Sequence, residues 1–122
     1  MRRPALLALV LAACGGGGGA PLAPVAPPIL QEPRITLTAS GVSPTTLHAA
    51  AGVPVTFVNA DTVAHEVRSD RHPTHAECAV LEVGVLAPGQ TRDIIVSIGQ
   101  GCGYHAEDDP GNRAFQGYIV GH

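Results

Sequence analysis

The constraint that bears hardest on this 122-residue chain is the rhythm of its apolar residues, which alternate in short runs. No window of ten or more residues carries a helical apolar period. An apolar residue at every second position lines one face of a pleated strand. Arg34-Ile-Thr-Leu-Thr-Ala39 places Ile35 and Leu37 on one face and threonines on the other, and Val53-Pro-Val-Thr-Phe-Val-Asn59 repeats the pattern. Further strands are expected at Val63–Ser69, Thr91–Ile98 and Gln116–Val120, with a short segment, Cys102–His105, before the last. Asn59-Ala-Asp61-Thr, Ala87-Pro-Gly-Gln90 and Gly99-Gln-Gly101 interrupt these runs with residues that favour turns. Short strands at this spacing, with Gly and Pro between them, predict an all-β, Greek-key β-sandwich.

The strands begin only after residue 33. Arg2 and Arg3 precede an apolar run, Ala5–Ala13, that is too short to span a bilayer as a helix. The run ends at Leu11-Ala-Ala-Cys14, which resembles a bacterial lipobox. Residues 1–14 are therefore expected to be a lipoprotein signal peptide, with Cys14 lipidated and the protein anchored to a membrane, in the periplasm or on the cell surface. Residues 15–33 follow as a tether: Gly15–Gly19 offers no side chains to bury, and the prolines from Pro21 to Pro33 stiffen the spacer. Residues 34–122 then form one domain, large enough for one modest core.

Loss of the leader leaves five arginines, no lysine and ten acidic residues. An acidic domain without a basic patch is not built for nucleic acid. Catalytic signatures are also missing: there is no Gly-x-Ser-x-Gly, no phosphate-cradling glycine loop and no Cys-x-x-Cys pair, and no enzymatic role is expected.

What remains with chemical potential is a set of histidines and cysteines in two blocks. His65, His72, His75 and Cys78 lie in the first; Cys102-Gly-Tyr-His105 forms the second, followed by Glu107. Imidazole and thiolate together suit copper or zinc. Asn59-Ala-Asp61-Thr-Val-Ala-His65, the Ala87-Pro-Gly-Gln90 turn, Cys102-Gly-Tyr-His105 and Phe115-Gln-Gly117-Tyr-Ile-Val120 occur in the order seen in cupredoxins, and the domain resembles that family over about residues 34–121. The resemblance implies a cupredoxin-like fold and one copper ion held by His65, Cys102 and His105. It also implies an electron carrier or copper binder working with a redox partner protein, for which the acidic run Glu107-Asp108-Asp109 offers a docking rim. Phe115 occupies the slot where the family's weak axial methionine would sit, and a phenyl ring cannot ligate.

A second arrangement stays open at this point. The stretch from His105 to Phe115 is long for a small blue protein, and two cysteines in an exported domain commonly form one disulfide. If His105 takes the cysteine's place, Cys102 is free to bond Cys78. The ion would then see His65 and His105, with His72, His75 or Glu107 added, in a harder, histidine-rich site suited to Cu(II) or Zn(II). A metal-free, disulfide-stapled module is the reading from a different class. Both metal readings require the His65 and His105 rings to approach a common ion. His48 and His122 have no partner nearby in sequence.

Overall fold

The computed structural model describes residues 18–24, 32–97 and 99–122. The leader, Cys14 and part of the tether lie outside them, as does Ile98. The expected all-β sandwich is what forms. Among the described residues nine strands run in chain order: β1 (Arg34–Thr38), β2 (Gly41–Ser43), β3 (Thr46–Ala49), β4 (Pro54–Asn59), β5 (His65–Ser69), β6 (Gly84–Leu86), β7 (Thr91–Ile95), β8 (Gly101–Ala106) and β9 (Gln116–Gly121). They build a four-stranded sheet, β2-β1-β4-β7, and a five-stranded sheet, β3-β9-β8-β5-β6. Pairing is antiparallel except for β1 with β4 and β3 with β9. Two single 3-10 turns, Ala79–Leu81 and Arg113–Phe115, interrupt the connections.

The alternation read from the sequence decides which residues meet between the sheets. Ile35 and Leu37 from β1, and Val55 and Phe57 from β4, are fully buried. They face Val67 of β5, Tyr104 of β8 and Ile119 of β9, which are at most 1% exposed. Phe57 and Tyr104 meet edge to face, with ring centroids 5.2 Å apart. Each such side chain contributes about 1.5–3 kcal/mol by leaving water.

Asn59 is fully buried at the end of β4 and closes the following turn. Its side-chain N–H donates to the carbonyls of Val63 and Leu86, while its oxygen accepts from the Asp61 amide. The turn therefore delivers the chain into β5 at a fixed point, with His65 as first residue of the strand. Differences from the expected boundaries are small: β5 starts two residues later than Val63, and β7 stops at Ile95. Strands β2, β3 and β6, of only three or four residues, carry too few alternations to stand out in the sequence.

The core holds one polar misfit. The Tyr104 hydroxyl is buried and has no hydrogen-bond partner among the described residues, and burial pushes its phenol well above the usual range. It reaches over Gly117, its cross-strand partner on β9, where an added Cβ would collide with the phenol. Tyr104→Phe removes a desolvated hydroxyl that gives nothing back. Urea unfolding of this variant is expected to show unchanged stability, or a gain of about 1 kcal/mol. Gly117→Ala is expected to cost about 1–3 kcal/mol by overpacking.

Candidate metal centre

The pairing of β5 with β8 decides where every candidate ligand points. Val67 lies opposite Ala106, Arg68 opposite His105 and Ser69 opposite Tyr104. Successive side chains on a strand face opposite ways. His65, Val67 and Ser69 are thus on the inner face, with Cys102, Tyr104 and Ala106. His105 lies on the outer face with Gly103 and Arg68. The expected set of His65, Cys102 and His105 is not brought together, and a common ion for the two rings is corrected by this register.

Thiolate ligation by Cys102 is corrected as well. Its sulfur is bonded to that of Cys78, with the Cα atoms 5.8 Å apart and both residues buried in the core. A sulfur in a disulfide has no thiolate to offer a metal. Of the second expected arrangement the structure has the Cys78–Cys102 bridge but not the pairing of His65 with His105.

His65, 3% exposed, is held by carboxylates instead of an ion. Its Nε2 lies 2.9 Å from Asp61 Oδ2 and its Nδ1 lies 3.1 Å from Asp108 Oδ2. Both ring nitrogens are engaged by carboxylates, and among the described residues His65 belongs to no group of donor atoms that would close on one ion. The hydrogen bond from His65, helped by the Thr62 amide, holds Asp61 below the usual carboxylate range. Phe115 stacks on the His65 ring at 5.1 Å, so the residue expected in the axial slot does sit beside this histidine. The β8 residue on the same face is Ala106, whose methyl offers no donor atom.

The outer face carries the constellation with ligating geometry. The segment from Asp70 to Glu77 leaves β5, folds across the outer surface of β8 and returns at Cys78. Its foot is closed by several bonds. The Asp70 amide donates to the Gly103 carbonyl, the Glu77 amide to the Asp70 carbonyl, and the Cys78 amide to Ser69 Oγ. The disulfide then ties the returning end to β8, three residues before His105. This arch places His72 and His75 over His105. Glu107, two residues beyond His105, falls on the same face, and its amide extends the strand ladder by donating to Glu66.

Three imidazole nitrogens surround one carboxylate oxygen. Glu107 Oε2 lies 3.0 Å from His105 Nε2, 3.3 Å from His72 Nδ1 and 3.4 Å from His75 Nε2. One donor atom from each of the four residues lies within 4.8 Å of all the others. A tetrahedral ion with bonds of about 2.0–2.2 Å holds its donors about 3.4 Å apart, so the oxygen–nitrogen separations already match a four-coordinate centre. The imidazole nitrogens, within 4.8 Å of one another, would draw together to close around an ion. Burial opposes the charge on Glu107, but hydrogen bonds from His105 and His72 outweigh it and hold the carboxyl below the usual range. The anion is therefore available as a ligand.

Orientation within the cluster is also built. His75 Nδ1 lies 2.9 Å from the Ser69 carbonyl, which directs Nε2 at Glu107. His75 stands at a φ of 52°, in the left-handed region that costs a non-glycine residue about 1 kcal/mol or more. His105 Nδ1 lies 2.7 Å from Asp70 Oδ1. The depth is graded: His105 is 2% exposed, whereas about half of the His72 side chain is open to water. His72 is accordingly the side from which an ion would enter. Sequence reasoning placed His72, His75 and Glu107 in second rank and missed Asp70, Asp61 and Asp108. The available signal was the two-residue spacing of His105 and Glu107, which puts both on one face of a strand.

No protein-family model and no curated protein matches the sequence. Solved structures do match the fold. A purple cupredoxin from Nitrosopumilus maritimus superposes with a TM-score of 0.61 at 18% identity, covering 74% of this chain and 99% of that one. A reduced amicyanin variant gives 0.57 at 18% identity, covering 75% and 83%. A fern plastocyanin variant gives 0.57 at 15% identity, covering 73% and 99%. With two packed sheets of the same kind, the chain has the cupredoxin-like β-sandwich fold.

Proposed function

We propose that the protein is a metal binder of the cell envelope that holds one Cu(II) ion on His72, His75, His105 and Glu107, tethered to its membrane through a lipidated Cys14. The observation that carries this reading is the convergence of three imidazoles on Glu107 Oε2 at 3.0–3.4 Å. The donor set is three nitrogens and one oxygen, without sulfur. Such a set suits Cu(II), with Zn(II) next, since first-row affinities peak at copper and Cu(I) prefers softer ligands. The cupredoxin-like fold supports copper as the ion. The missing thiolate favours holding or delivering Cu(II) over shuttling electrons, so a redox partner docking on the acidic rim becomes the lesser expectation. A metal-free module is favoured by two features, the Cys78–Cys102 bridge and the clamping of His65 between two carboxylates, and the same experiment addresses it.

Titration of the purified chain with Cu(II) is expected to give one bound ion, weak visible absorption and no free thiol. An intense thiolate-to-copper band would overturn the assignment of ligands; retention of no copper would leave only the structural module. His105→Ala and His75→Ala are expected to weaken binding at least tenfold each, as losses of one ligand. His65→Ala should leave copper affinity unchanged while lowering stability, because its ring touches carboxylates and Phe115 rather than the cluster. Protons compete for the imidazole lone pairs, so affinity should fall on acidification, as chelator competition at several pH values would register.

The disulfide should also matter to affinity, although its sulfurs face away from the cluster. It anchors the arch that carries His72 and His75, and an unanchored arch must be ordered by the ion itself. The Cys78→Ala, Cys102→Ala double variant, which removes the bridge without leaving thiols to bind the ion, is expected to weaken Zn(II) binding about tenfold, which corresponds to about 1.4 kcal/mol.

A further inference from the structure

We propose that Asp70 is a positioning residue for this centre: seated on the bare backbone of Gly103, it fixes His105 with the proton on Nδ1, so that Nε2 is the nitrogen offered to the ion. The inference rests on the metal reading above and adds the part that sets the ligand's tautomer.

His105 could ligate through either nitrogen, and nothing in its own side chain chooses. The choice is made by its neighbours. Nδ1 lies 2.7 Å from Asp70 Oδ1, and Nε2 points to the opposite side, 3.0 Å from Glu107 Oε2 and towards His72 and His75. Both ring nitrogens thus face a carboxylate: an ion in the cluster would displace the proton that Nε2 shares with Glu107, while Asp70 retains the one on Nδ1 and leaves Nε2 as the ligating atom. Asp70 also makes the imidazole a more basic donor, because the positive charge that develops on metal binding is partly offset. At an exposed position such a pair would be worth little. Here the His105 side chain is 3% exposed and that of Asp70 37%, so the pair is sheltered from solvent on the histidine side only.

The fit of Asp70 depends on a residue with no side chain. Gly103 and His105 are two apart on β8 and share the outer face. A Cβ at Gly103 would collide with the Asp70 carboxyl group. The Asp70 backbone is pinned at the same place, with its amide donating to the Gly103 carbonyl at 3.0 Å and its own carbonyl accepting from the Glu77 amide and Ser69 Oγ. The arch that carries His72 and His75 therefore starts from the residue that orients His105. One carboxylate couples the placement of the loop ligands to the tautomer of the strand ligand.

Two measurements on the purified full-length chain test this. In the Zn(II)-loaded protein, 15N imidazole shifts of His105 should report a proton on Nδ1 and the ion on Nε2. Chelator competition with Zn(II) should show Asp70→Ala binding about 10–100-fold more weakly than the parent. Asp70→Asn, which keeps an acceptor but no charge, should fall between them with the tautomer retained. Gly103→Ala should weaken binding in the parent by displacing Asp70, yet add little in the Asp70→Ala background, a non-additivity that a merely structural role would not produce. Thermal unfolding of each variant identifies any that fail to fold, and Asp70→Asn keeps the test alive if Gly103→Ala does. Ligation of Zn(II) through Nδ1 of His105, or unchanged Zn(II) affinity in Asp70→Ala, would overturn the role of Asp70 while leaving the centre intact. A parent chain that takes up no Zn(II) would instead bring down the centre and this role with it.

Discussion

The antiparallel pairing of β5 with β8 is the constraint on which the rest of the molecule depends. Its register sets Arg68 against His105 and Val67 against Ala106, and every side chain on the two strands is thereby assigned to the core or to the outer surface. A slip of one residue would exchange the two sets completely. The core contacts forbid that slip, because it would carry Tyr104 and Cys102 into solvent and press His105 against Phe57. Packing between the sheets, which involves no metal chemistry, is thus what delivers an imidazole to the outer face.

The consequence is a division of labour along a single strand. The inward positions of β8 serve stability: Cys102 in the bridge, Tyr104 in the aromatic pair, Ala106 under the His65 ring's end of the sheet. The outward positions serve the cluster: Gly103 as the seat for Asp70, His105 as the deepest imidazole, and Glu107 just past the strand. The sulfur that a blue copper reading would use as a ligand is here a staple. It acts on the outer site only through the covalent chain, by holding down the returning end of the arch.

Much of the sandwich was legible from alternation alone. Ile35 and Leu37, and Val55 and Phe57, announce their strands and their buried face, and the Asn59–Asp61 turn announces the start of the next. Strands β2, β3 and β6 were not legible, since three or four residues carry too little alternation to stand out, and the partner of β3 is the last strand of the chain. For the site, the residue types were legible and their grouping was not. His65 and His105 differ in face because of a pairing register that no local pattern records. The Cys78–Cys102 bridge was one of two open outcomes. Asp70 carried no signal at all, because its role exists only where a glycine on the neighbouring strand, 33 positions on in sequence, leaves room for it.

His65 shows why the inner position does not simply compete with the outer cluster for an ion. Two carboxylates on two different connections, Asp61 before β5 and Asp108 after β8, meet its two nitrogens from opposite sides. An ion between His65 and either carboxylate would have to displace a hydrogen bond in a region where the ring is 3% exposed and covered by Phe115. The outer cluster differs in gathering three imidazoles on one carboxylate. Its fourth side is open at His72, and an ion entering there would exchange the hydrogen bonds to Glu107 for bonds from four donors to a common centre. The same sheet therefore holds one histidine between two carboxylates and sets the other in a group whose donors a cation would draw to one centre.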